Sequence, residues 1–264
     1  MLPRVVTPTR RWGSGQGLIV LLATLTIAAT TSVETAASQP TVAATTKDAA
    51  AVVLATQYTA TPAVAVLAAS RILDVPLYDQ AYKLSCEEAS LRMALAYEGI
   101  RVTDAQVLAL IGTDNSAARW TSTGLRWGDP YTTFVGSPYG SETALTGYGT
   151  YFPTIAAAAR AFGGTVLAAG EGISPDTLYA DVLAGHPVVA WVTYQWVSAS
   201  RQDYVAFDGR LIPYAGPVEH AVTVVGVTAT QVYVNNPDFG LEVISRTVFE
   251  SSYATYNDMA VVLE

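Results

Sequence analysis

One cysteine, two histidines and few charges set the first limits on this sequence. A single thiol cannot form a disulfide within the chain. With only two histidines beside it, a Cys/His structural zinc site is also excluded in practice. A site built from oxygen ligands stays open. Only 14% of residues are charged, but 51% are hydrophobic, so the poverty of charge signals a large core rather than disorder. The net charge is −8, and no cluster of Lys or Arg follows the first eleven residues. Nucleic acid is therefore not an expected partner. The sequence also has no apolar run long enough to match a membrane span of roughly 20 residues.

The longest apolar run, LIVLLATLTIAA, lies near the start, after a stretch that holds Arg4, Arg10 and Arg11 and no acid. A basic head, a short apolar middle and the small residues that follow, with Thr35-Ala36-Ala37 as a cleavage site, are the pattern of an export signal. Residues 1–37 are read as a signal peptide, with an N-terminal membrane anchor as the alternative. The expected location is outside the cytoplasm, secreted or at the cell surface. Any membrane tether lies in this N-terminal segment. Residues 38–70, rich in Ala, Thr and Val, are read as a linker. Residues 71–264 are read as one domain.

Within that domain the periodicities predict helices first and then mostly antiparallel strands, an α+β arrangement. A short strand is expected from Ile72, over ILDVPLY. S-C-E-E at Ser85–Glu88 reads as a capping box opening a helix that stops at Gly99, and T-D-A-Q at Thr103–Gln106 opens a second. Further helices are expected over 153–162 and from Ser174-Pro175 to Gly185. Strands are expected at 165–168, PVVAWVTY, HAVTVVGV, QVYVNN, LEVISR and MAVVLE. Asp208-Gly209 marks a hairpin turn. Residues 112–150 show no clear period but carry many aromatics. They are expected to form an ordered loop that walls a cleft. Their rings form either a substrate platform or the loop's own small core.

The lone thiol, Cys86, falls at the first turn of the first helix. Free N–H groups and the helix dipole there favour a thiolate, while burial opposes it. Glu87 and Glu88 read as charges placed to suit the dipole. Gln80 lies six positions upstream, where its amide and the Cys86 N–H can hold an oxyanion. His220 opens the strand HAVTVVGV and can act as base. A tight hairpin centred near Ala229 puts His220 opposite Asp238, with Asn236 one diagonal step away. Either residue can orient the imidazole. Glu219 points to the other face of a regular strand. His186, in AGHPVV, reads as a connector.

The order of these residues, Gln, Cys at a helix start, His on a strand and Asn or Asp on the next, resembles the papain-like cysteine peptidases. VPLYDQ, SCEEASLRMAL, HAVTVVGV and NNP, over roughly residues 72–240, resemble the bacterial branch related to double-glycine leader peptidases, including its exported stand-alone domains. WGDPYTTFVGSPYG and TGYGTY are similar to exported members too. The resemblance implies a papain-like fold and a peptidase with Cys86 as nucleophile, paired as thiolate with protonated His220. Asn236 orients the His, and Gln80 shares the oxyanion hole. It implies a peptide or protein substrate, an acyl-enzyme intermediate, and no metal or other cofactor. That branch more often carries Asp where this chain has Asn236. Two alternatives stay open. One is the same acyl chemistry used on cell-wall peptides or for acyl transfer, and the other a catalytically silent peptide-binding module.

Overall fold

The computed structural model describes residues 4–5 and 70–264. The export segment and linker expected over 1–37 and 38–70 lie almost wholly outside them. The described residues form five α-helices, α1 (Cys86–Tyr97), α2 (Asp104–Ile111), α3 (Phe152–Ala161), α4 (Pro175–Ala184) and α5 (Arg246–Ala254). The principal strands are β1 (Val166–Gly170), β2 (Val188–Thr193), β3 (Glu219–Val227), β4 (Gln231–Asn236), β5 (Gly240–Ser245) and β6 (Ala260–Leu263). They pair antiparallel in the order β5-β4-β3-β2-β6-β1. Arg4–Val5 runs parallel to β5 at one edge, and Arg71–Ile72 pairs with the far end of β3.

Both faces of this sheet are covered, so its central strands read as unbroken apolar runs. Every residue of β2 and β3 is buried. On one face Val222, Val224, Val232 and Val234 meet Leu178 and Val182 of α4 and Phe249 and Tyr253 of α5. On the other, Val189, Trp191 and Val261 meet Leu91 and Leu95 of α1 and Ile155 and Ala159 of α3. Strand alternation sorts the residues of β3 between them. Thr223, whose hydroxyl donates to Ser90 O at 2.9 Å, faces α1. His220, Val222 and Val224 face the opposite way.

The α+β reading holds, and the helix and strand positions follow the expected order, with three differences. Of ILDVPLY only Ile72, with Arg71 before it, joins a strand. The helix α5 had no sequence signal: RTVFESSYA is poor in strong helix formers. It is held by the Ser245 cap on Val248 N and by packing, with Phe249 and Tyr253 stacked one turn apart at 5.5 Å. The third difference concerns 112–150. This stretch is ordered, but it contains Thr113–Asp114, Arg119–Thr121, Gly124–Trp127 and Phe134–Val135 as short strands. Two of them join the Asp208-Gly209 hairpin in a four-stranded sheet, Leu211–Ile212, Tyr204–Ala206, Gly124–Trp127, Arg119–Thr121. Strands of two to four residues are too short to show a period. Trp127, Phe134 and Tyr148 are buried in the core, while Trp120 and Tyr139 are each 72% exposed.

Candidate active site

Cys86 is the first residue of α1 and is 5% exposed. The expected capping box before it does not form. Ser85 makes no side-chain cap bond. Its hydroxyl accepts from Tyr82 N at 3.0 Å and donates to Asp104 Oδ2 at 3.1 Å. Asp104 also accepts from Ala81 N at 2.7 Å and pairs with Arg92 at 3.5 Å. This buried carboxylate on α2, which the sequence did not single out, thus ties the Gln80–Ser85 approach to the helix. The Thr103–Gln106 box forms as expected.

His220 is the second residue of β3 and is 3% exposed. The hairpin register is the expected one near the site, with Thr223 opposite Asn235 and Val224 opposite Val234. A bulge between Val224 and Gly226 takes up the mismatch toward the turn. His220 Nε2 donates to Asn236 Oδ1 at 2.9 Å. The same oxygen accepts from Asp238 N at 3.0 Å, and Asn236 Nδ2 donates to Glu242 Oε2 at 2.8 Å. The Glu242 carboxylate can only accept, which fixes the amide's orientation. An amide oxygen likewise only accepts, so the proton sits on Nε2 and Nδ1 is the basic nitrogen. Asp238 is exposed and takes the Tyr194 hydroxyl at 2.6 Å instead. The Tyr194 ring stands edge-on to the imidazole at 5.3 Å. Asn236, not Asp238, therefore holds the imidazole. Glu242 stands behind it and is itself held by Trp196 Nε1 at 3.1 Å.

Gln80 is joined to this turn through its backbone, Gln80 N donating to Pro237 O at 2.9 Å. Its amide nitrogen donates to Lys83 O at 2.8 Å. One of its two N–H groups is thereby committed and the other is left for a further acceptor. His186 N bonds Asp181 O at 3.0 Å and closes the turn after α4, as a connector does.

The surroundings of the thiol differ from expectation. Cys86 Sγ donates to Glu87 Oε2 at 3.2 Å, and no hydrogen bond joins it to His220. Burial, followed by the charges of Glu87 and Glu219, raises the thiol well above its ordinary pKa, against a lowering contribution from the Ala221 N–H. Burial also lowers the His220 pKa, opposed by its bond to Asn236. Both shifts oppose the thiolate–imidazolium pair that the sequence suggests, because burial favours the neutral form of each group.

Nor are Glu87 and Glu88 exposed helix-start charges: both are fully buried. Burial pushes the Glu87 pKa up to about 7 although Glu87 Oε1 accepts from Thr150 N at 2.6 Å. Glu88 is raised well above the carboxyl range, first by burial and then by Glu87, and neither of its oxygens has a partner. Glu219 does point away from the His220 face, as expected, but that direction brings it to Cys86 and Glu87. Glu219 is raised in the same way, first by burial and then by Glu87 and Glu142. Glu142, from the 112–150 segment, accepts from Glu219 N at 3.1 Å and is pushed up to about 8 by burial. Gly149 closes the group: a Cβ there would lie 2.1 Å from Glu87 Oε1 and 3.0 Å from Glu219 Oε2. Pairwise motif reading missed this cluster because its members come from a helix, a strand and a loop.

The model of the peptidase C39-like family matches residues 72–261. Among solved structures, a protein described as a C39-like peptidase from Bacillus anthracis is 25% identical with a TM-score of 0.61, covering 74% of this chain and 98% of its own. A double-glycine motif protease from an AMS/PCAT transporter, solved with the leader peptide, is 17% identical with a TM-score of 0.40, over 72% and 91% of the two chains. Xylellain, a cysteine protease from Xylella fastidiosa, is 15% identical with a TM-score of 0.39, over 76% and 88%. No curated protein matches.

Proposed function

This chain belongs to the peptidase C39-like family and has its papain-like α+β fold, and from that premise we propose that it is an exported cysteine peptidase working through Cys86, His220 and Asn236. The observation that carries the reading is the hydrogen bond from His220 Nε2 to Asn236 Oδ1. It leaves Nδ1 as the nitrogen able to take a proton. The sulfur lies at the Ala221 N–H and beside Glu219, the two residues that flank His220. The reaction requires the sulfur to leave Glu87, its hydrogen-bond partner here, and turn to the imidazole.

In the reaction, Nδ1 takes the thiol proton as sulfur attacks a peptide carbonyl. The oxyanion is held by the Cys86 N–H at the start of α1 and by the free N–H of Gln80. The protonated imidazole gives its proton to the leaving amine. Water, deprotonated by the same nitrogen, then releases the acyl group. Asn236 keeps the ring in place, and the charge of Asp238 favours its protonated form. The substrate is a peptide or protein segment. Export is supported by the basic and apolar start of the sequence, and is tested by sequencing the N-terminus of the mature protein, expected near Ala37.

The decisive experiment incubates the full chain, in chelator, with a denatured protein mixture and maps new termini by mass spectrometry. Wild type is expected to create termini that Cys86→Ser and His220→Ala do not, and to accumulate an acyl-enzyme at Cys86. Identical termini from wild type and Cys86→Ser, with no adduct on Cys86, overturn the reading in favour of a silent binding module.

A further inference from the structure

Cys86, Glu87 and Glu219 each offer a ligand atom, and the three atoms lie within 4.8 Å of one another. The Sγ to Glu87 Oε2 separation is 3.2 Å, and a small side-chain shift would open it to the roughly 3.6 Å that tetrahedral zinc sets between a sulfur and an oxygen ligand. Glu219 supplies the independent sign that something is missing from this group. It is 2% exposed, and both of its carboxylate oxygens are buried without a hydrogen-bond partner. A carboxylate buried in this way needs a positive partner or a donor. Among the described residues, none of the ion pairs involves Glu87, Glu88, Glu142 or Glu219. Gly149 preserves the room, since any side chain there enters the space between the two carboxylates.

We propose that these three side chains form a binding site for a thiophilic divalent cation of the zinc class, distinct from the His220–Asn236 pair, and that its occupation holds Cys86 out of reaction. The donor set decides the class. A sulfur ligand disfavours calcium and magnesium, and one thiolate with two carboxylates, leaving a fourth position for water, suits a tetrahedral ion. On binding, the sulfur–metal bond replaces the S–H bond and the proton leaves to solvent. No electron is transferred. The ion fixes the sulfur on the Glu87 side, away from the imidazole. Binding itself needs no substrate to observe, and only the loss of turnover rests on the peptidase reading.

The test titrates the metal-free full chain with Co2+, a spectroscopic stand-in for Zn2+. Expected are saturation at one Co2+ per chain, thiolate-to-cobalt charge-transfer absorption, displacement by Zn2+, and loss of that absorption in Cys86→Ser. Glu87→Gln and Glu219→Gln, which keep shape, should each weaken Zn2+ binding roughly ten-fold or more. His220→Ala should leave it unchanged. Absence of the charge-transfer band in wild type overturns the proposal even if a variant proves insoluble. So does unaltered affinity in Glu219→Gln, and so does loss of binding in His220→Ala, which moves the ion to a Cys–His site.

Discussion

At the scale of single residues, Asn236 explains itself through Glu242. Its amide accepts from His220 and donates to a buried carboxylate. Asn236→Asp should therefore not improve the site. It removes the donor to Glu242 and sets two carboxylates against each other in a buried place, at a cost of roughly 2–4 kcal/mol. Denaturant unfolding is expected to show that loss, and Glu242→Gln in the same chain to recover much of it. An equal cost with and without Glu242→Gln would remove Glu242 from the account. The places of Cys86 and His220 were legible in the sequence from a helix start and a strand start, whereas the hairpin left Asn236 and Asp238 both open, and the bond from His220 chooses Asn236. The protonation state of the thiol was not legible. It depends on how much water burial removes, and on Glu87 and Glu219, which converge on the sulfur only in three dimensions.

At the scale of elements, the two helix starts near the site look alike in sequence and differ in structure. Thr103 and Gln106 exchange cap bonds, while Ser85 turns back to Tyr82 and Asp104 and leaves Glu88 unpartnered. Thr103→Ala should cost about 1 kcal/mol in thermal unfolding, the ordinary value of a lost N-cap. Glu88→Gln should cost nothing at pH 8, since it replaces a buried carboxyl that caps no N–H group. A loss there comparable to Thr103→Ala would show that Glu88 does cap the helix in solution. The same contrast separates what patterning can and cannot reveal. Long periodic elements such as α1, β2 and the β3–β4 hairpin announce themselves. The helix α5 and the small sheet of 112–150 exist because partners distant in sequence bury their rings, and no local pattern encodes that.

For the whole molecule, the acidic cluster makes stability depend on pH in an unusual sense. Burial raises Glu87 to about 7 and Glu142 to about 8, and moves Glu88 and Glu219 in the same direction. A carboxyl whose folded pKa is raised contributes stability below its ordinary value and loses that stability as pH climbs through the folded one. His220, lowered by burial, works the other way near pH 6.5 but is one group against four. In chelator, the melting temperature is expected to fall between pH 5 and pH 9 by roughly 5 °C or more. A melting temperature that holds or rises over that range would mean the carboxyls are not buried together in solution. The order of the sheet carries a last consequence. The strand bearing His220 lies in its interior, between β2 and β4, whereas Cys86 comes near the start of the domain. A ribosome that has made the nucleophile must add 220 − 86 = 134 residues before the base exists, and more before β4 can pair with its strand. As the proposed peptidase, the nascent chain stays inactive until those residues have been added.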